Sequence, residues 1–153
     1  MTPRWAERPA TWADVESLEL LPLHAPCDPR PLLRLAMTPN ELDVAMGSSA
    51  TTLLWDDVPI AVGGVVHHWP GRISVWSMPT EAAIVHRKTY YRTVRDGLLG
   101  FVARFHPIRI EATSRCDDPI SCDWLEAHQF DIESVMKRYG PDGSDHFMYV
   151  RLV

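Results

Sequence analysis

The first candidates for chemistry are five side chains in one short stretch: His86, Arg87, Lys88, Arg92 and Arg95. At the start of a helix, guanidinium and ammonium groups suit phosphate, Arg as a planar fork and Lys as a point charge. Arg87 and Lys88 lie nearest the helix start and are the stronger pair. The plain alternative is a solvated helix face. Glu81 stands just past a strand and can take a proton, although a Glu in a first helical turn is also favoured by the macrodipole alone. Glu111 alternates with strand residues and reads as solvent-facing.

Other reactive side chains fit no known pattern. His67 and His68 end a strand, and neighbours on a strand point to opposite faces, so they do not share a metal. Cys116 and Cys122 have no nearby His partner, and Cys27 lies in a distant loop. This matches no zinc spacing, and no metal is expected. Neither a Gly-x-Ser-x-Gly elbow nor a P-loop is present. Of the six tryptophans, Trp5 and Trp69 have weak local periodicity and read as candidates for a partner interface.

The basic stretch and Glu81 must be positioned by a strand–helix–strand unit over residues 73–115. Ile73 to Met78 alternates apolar and polar, and Pro79 ends the run. Thr80 can cap a helix whose apolar positions are Ile84, Tyr91, Val94, Leu98, Phe101 and Phe105, in steps of three, four and seven. Val94, Leu98 and Phe101 should be buried, with Arg92 and Arg95 in water. Ile108 to Thr113 alternates again. Such a unit is a βαβ crossover and implies parallel neighbouring strands. Any ligand should lie near the first strand's C-terminal end, where free N–H groups and the dipole attract anions.

Composition sets the outer limits. With 153 residues, 46% hydrophobic and 23% charged, the chain reads as one globular domain over 1–153. A net charge of −5 argues against nucleic acid as a partner. No apolar run approaches the roughly 20 residues of a membrane span. The start of the sequence lacks a signal peptide's apolar core, and an odd count of three cysteines points to a reducing, cytoplasmic compartment.

The remaining chain reads in order. A strand is expected over Thr2 to Arg8, then a helix opened by Thr11-Trp12-Ala13-Asp14 and running to about Leu21. A proline-rich loop follows, then a short helix from Leu32 to Met37. Thr38-Pro39-Asn40-Glu41 opens the next helix, which Gly47 can end. Thr51 to Trp55 and Val58 to His67 make two strands around Asp56-Asp57. Gly63-Gly64 suggests a bulge or a close backbone approach. After the crossover come a helix over Pro119 to Ala127, with Ile120, Trp124 and Leu125 inward, and a strand over Phe130 to Arg138. Pro141-Asp142-Gly143 makes a turn, and His146 to Leu152 closes a hairpin.

This order resembles the GNAT superfamily of N-acetyltransferases. The resemblance is carried by Arg8-Pro9-Ala10-Thr11-Trp12-Ala13-Asp14, by Pro59-Ile60-Ala61-Val62-Gly63-Gly64-Val65, and by Trp124-Leu125-Glu126-Ala127-His128-Gln129-Phe130. The hairpin ending from Met136 to Asp145 is also similar. Gln129 stands where the family has glycine. The resemblance is closest to small GNAT-like proteins of tailed bacteriophages, a group that includes an internal virion protein of podoviruses. It implies an α/β (α+β) fold with a mixed central sheet and helices on both faces.

The resemblance further implies acetyl-CoA as co-substrate. The backbone of Trp76, Ser77 and Met78 would hold the acyl and pantetheine part, Arg87 and Lys88 the phosphates, and Glu81 or water would deprotonate an acceptor amine. The family's glycine-rich pyrophosphate loop is absent from Pro79 to Lys88, and Leu125 stands where many members place a tyrosine acid. Three functions stay open: an acyl-CoA-dependent N-acetyltransferase; an inactive GNAT fold serving as a structural or interaction protein of a phage particle, with phage structural proteins as partners; and a phage-made modifier or inhibitor of host proteins.

Overall fold

The computed structural model describes residues 4–153. It is a mixed α/β protein. Its strands are β1 (Trp5–Pro9), β2 (Ala50–Trp55), β3 (Val58–Trp69), β4 (Arg72–Pro79), β5 (Arg109–Arg115), β6 (Asp131–Met136) and β7 (His146–Leu152). Its helices are α1 (Trp12–Ser17), α2 (Arg30–Ala36), α3 (Pro39–Ser49), α4 (Glu81–Val85), α5 (Arg87–Phe105) and α6 (Pro119–Ala127). The sheet order is β1-β2-β3-β4-β5-β7-β6. Thr2 and Pro3, at the start of the first expected strand, lie outside the described residues.

Two compact units divide the chain. The first holds the residues up to Val65 together with Ser77–Arg87. Here β1, β2 and β3 form an antiparallel run, and Asp56 and Asp57, both at positive φ, make the β2–β3 turn. Both expected capping boxes form, at Thr11 with Asp14 and at Thr38 with Glu41. The first helix nonetheless stops at Ser17, well short of Leu21, because Leu18 turns extended. The Arg30 guanidinium donates to the carbonyls of Val15 and Leu18, satisfying groups that a longer helix would have used itself.

Gly47 does not end α3, which runs on to Ser49; its φ is not positive. The close approach falls at Gly64, where an added Cβ would sit 2.6 Å from the Ser49 carbonyl oxygen. The β2–β3 register shift lies elsewhere: Leu53 faces Ala61 and Leu54 faces Pro59, so Ile60 is the extra residue.

The second unit holds Val66–Trp76 and Lys88–Val153. In it β4 and β5 are parallel, as the crossover requires, with Arg72, Ile73 and Ser74 facing Arg109, Ile110 and Glu111. Among the described residues this pairing ends at Ser74, while β5 continues against β7 as far as Arg115. Ile73, Ile110, Tyr149 and Val150 form its core.

The expected burial of α5 needs correcting. Only Tyr90 is buried; Val94, Leu98 and Phe101 are half-buried and Phe105 is exposed. The reason is where α6 meets the helix. Trp124 stacks on Tyr90 with centroids 4.5 Å apart and meets Tyr91 edge-on, both in the first turn of α5. Arg92 and Arg95 are exposed, as expected. Ile120, expected inward, is exposed.

α6 ends in a Schellman motif: the Phe130 N–H donates to Leu125 and the Gln129 N–H to Glu126. Gln129 has φ 66°, the left-handed conformation for which glycine is the natural residue.

Candidate functional site

The first unit carries most of the proposed site residues. Met78 and Pro79 end β4 buried, whereas Ser77 is exposed. Thr80 follows at the N-cap position of α4, but its side chain does not cap the helix. Its Oγ1 donates to the Ile60 carbonyl at 2.7 Å, and its N–H donates to the same oxygen at 2.9 Å. The extra residue in β3 thus anchors the strand-to-helix junction. The expected capping role of Thr80 is corrected accordingly.

The single long helix expected from Thr80 to Phe105 is two helices. α4 spans only five residues, and His86 breaks the run with φ −93° and ψ 28°. A local cause is visible. The His86 imidazole lies flat on the Trp55 indole, and Trp5 meets Trp55 edge-on at 6.1 Å. Glu81 is exposed in the first turn of α4, and Arg87 is exposed at the first residue of α5.

Trp76 and Lys88 belong to the second unit; Trp76 is half-buried and Lys88 exposed. Arg87, Lys88 and Arg92 share a property that most other cations lack. Among the described residues, none of the three side chains has a hydrogen bond, ion pair or ring contact. Elsewhere Arg8 pairs with Asp14, Arg30 with Asp28, Arg34 with Glu16, Arg109 with Glu133, Arg115 with Asp142 and Lys137 with Asp145. In a protein of net charge −5, three uncommitted cations therefore fall within the first six residues of α5. Arg95, the fourth cation of this stretch, pairs with Asp96.

Glu111 must be withdrawn as a solvent-facing candidate base. It is buried, and its carboxylate accepts from Arg72 at 2.9 and 2.8 Å and from Arg109 at 2.5 Å. Arg72 above all, helped by Arg109, holds its pKa down at about 2 against the upward push of burial. A carboxylate so committed takes no proton near neutrality.

At the α6 end Leu125 is half-buried, and two tyrosines that meet this helix have their hydroxyls engaged on it. Tyr91 donates its hydroxyl to the Ala127 carbonyl. Tyr149 is fully buried, and burial, followed by Cys122 and Glu126, raises its pKa. Sequence reading missed His128, which is buried beside Trp124 and stacks on Tyr91 at 4.5 Å. Burial, then the charges of Arg151 and Arg95, lower its pKa to about 4, so the imidazole is neutral at pH 7. The available signal was the i, i+4 spacing of Trp124 and His128 on a helix end.

His67 and His68 diverge, as expected. His67 lies against Phe101 and Phe105, while His68 Nε2 bonds Ser74 Oγ at 2.7 Å. The three cysteines are free and half-buried. Among the described residues no group of His, Cys, Asp and Glu is arranged to hold a metal, and no helix is long and apolar enough to cross a membrane.

The seven-stranded mixed sheet with its helices matches the fold of solved GNAT-family acetyltransferases. No family model and no curated protein matches the sequence. Solved structures do match. A GNAT-family acetyltransferase from Streptococcus pneumoniae superposes with a TM-score of 0.73 at 10% identity, covering 98% of this chain and 100% of that one. Ard1 from Thermoplasma volcanium gives 0.71 at 13% identity, covering 97% of each. RimL, a ribosomal alpha-N-protein acetyltransferase solved in complex with coenzyme A, gives 0.64 at 15% identity, covering 97% of this chain and 94% of that one. The likeness is one of fold.

Proposed function

We propose that this protein is an acetyl-CoA-dependent N-acetyltransferase whose coenzyme phosphates are held by side chains in place of a glycine loop. One observation carries the reading: Arg87, Lys88 and Arg92, uncommitted among the described residues, fall within the first six residues of α5 in a GNAT-like fold. The chain fits the coenzyme in two respects. Among the described residues the β4–β5 pairing ends at Ser74, which leaves backbone groups at Val75 and Trp76 on that side for the pantetheine amides. Uncommitted guanidinium and ammonium groups supply the anion contacts.

When bound, acetyl-CoA supplies a thioester as acyl donor. The backbone at Trp76, Ser77 and Met78 would orient it, Arg87 and Lys88 would bind phosphate, and exposed Glu81 would take the proton of an acceptor amine as the amide forms, the thioester C–S bond breaks and coenzyme A leaves. The test is a thermal-shift or calorimetric titration with acetyl-CoA. At about 100 times its dissociation constant the ligand should stabilise the fold by about 2.7 kcal/mol. No shift at millimolar acetyl-CoA overturns the reading.

A second reading is favoured by the exposed apolar helix α2, in which Leu32 and Leu35 are 72% and 86% exposed and no residue is buried. On this reading the fold is an inactive structural or interaction module of a phage particle, and α2 faces another particle protein. The same titration separates the two, because the module should ignore acetyl-CoA.

A further inference from the structure

Trp69, which the sequence marked as a candidate interface residue, is 59% exposed at one end of the second unit. It lines an open groove of about 420 Å³ with His67, His68, Pro70, Phe105 and Pro107. That volume is in the range of ligand-binding clefts. The apolar surface continues past it. The Ile108 N–H donates to the Gly71 carbonyl and the Val153 N–H to the Ile108 carbonyl, so Ile108 and Val153, 69% and 56% exposed, adjoin the groove. Contiguous exposed apolar surface of this kind marks an interaction site.

The charge at this end says what it fits. The groove's lining, residues 67–71, 73, 105 and 107, contains no Asp or Glu and two histidines, and of the arginines nearest it in sequence Arg72 and Arg109 are paired with Glu111 and Glu133 while Arg104 is not. The Arg104 guanidinium lies 4.9 Å from the centre of the Phe105 ring, and among the described residues it has no carboxylate partner. The Arg72 guanidinium lies 4.4 Å from the Trp69 ring centre while its N–H groups are held by Glu111. Arg72 therefore fixes the indole, and Arg104 is the cation left for a ligand.

We propose that this groove docks an acidic segment of a partner protein, which seats an apolar side chain between Trp69 and Phe105 and sets its carboxylates on Arg104 and the histidine rim. An apolar anchor within a charged rim is the usual build of such a contact. The site is independent of acetyl-CoA, so its failure leaves the proposed enzyme untouched, and the reverse holds.

The test is fluorescence polarisation with labelled peptides on the full chain. The probes are Asp-Asp-Leu-Phe-Asp-Asp, its Lys-for-Asp counterpart, and an acidic peptide with Ser-Ser at the centre. Only the first should saturate below about 1 mM, a modest affinity that a short segment can reach. Trp69→Ala and Arg104→Glu should each weaken it by about tenfold, the effect of losing an anchor or a paired charge. Both side chains are exposed, so both variants should fold, as circular dichroism would verify. Arg104→Glu should also turn the preference toward the Lys peptide. The proposal is overturned if no peptide saturates, if all three bind alike, or if the two variants bind the acidic peptide as the parent does.

Discussion

The Trp55 indole and the His86 imidazole stack with centroids 3.7 Å apart and planes 14° from parallel. The pair joins the end of β2 to the break between α4 and α5. A stacked aromatic pair contributes about 0.5–1.5 kcal/mol beyond its buried area, so His86→Ala should cost about 1 kcal/mol and His86→Phe should recover most of it. The measurement is the urea midpoint at constant m-value. An unmoved midpoint in the Ala variant would mean that backbone geometry alone holds the break.

Gln129 occupies the left-handed position of the α6 cap at φ 66°. A side chain there costs about 1–2 kcal/mol, so Gln129→Gly should stabilise the protein by about 1 kcal/mol after glycine's greater freedom in the unfolded chain is subtracted. A higher melting temperature at unchanged cooperativity checks this. A loss would show that the Gln129 side chain makes a contact worth more than the strain.

Glu111 ties stability to pH. Its folded pKa, about 2, lies below its ordinary 4.5, so its contribution is fully present above pH 4.5 and is lost as pH falls toward 2. Glu111→Gln leaves Arg72 and Arg109 facing a neutral group and should cost about 3 kcal/mol at pH 7. Across that acid window the variant's stability should fall less steeply than the parent's. Parallel curves from pH 5 to 2 would refute the ion-pair account.

The free cations at the start of α5 should matter to a nucleotide and not to a bare thioester arm. The double change Arg87→Ala with Lys88→Ala should weaken coenzyme A binding at least about tenfold, while a pantetheine fragment without phosphate should lose much less. Calorimetry on both ligands reads the difference. Equal losses would remove these residues from phosphate recognition.

Much of the fold was legible locally. The bounds of α6 and β7 follow from periodicity and caps, and the parallel β4–β5 pair follows from the crossover rule. What was not legible depends on partners far along the chain. The break at His86 rests on Trp55, thirty-one residues earlier, and no periodicity within 80–105 reports it. Thr80 looked like a cap because its type suits one, yet the carbonyl of Ile60 claims its hydroxyl. Alternation placed Glu111 on a face of β5 without saying that Arg72 and Arg109 wait there. The basic stretch was visible as composition, but that Arg87, Lys88 and Arg92 lack carboxylate partners while Arg95 has one emerges only once the ion pairs are drawn.

Asp14 has a further consequence for how the protein opens. Buried within its own capping box, it accepts two hydrogen bonds from Arg8, one from the Thr11 N–H and one from the Thr52 hydroxyl. Arg8 and Thr52 are themselves cross-strand partners. One carboxylate therefore clasps β1, α1 and β2, and none of the three can fray without stripping a buried charge of its donors. Their amides should exchange with deuterium as a single foldon, at one shared opening free energy. In Asp14→Ala the three segments should exchange separately, with β1 first.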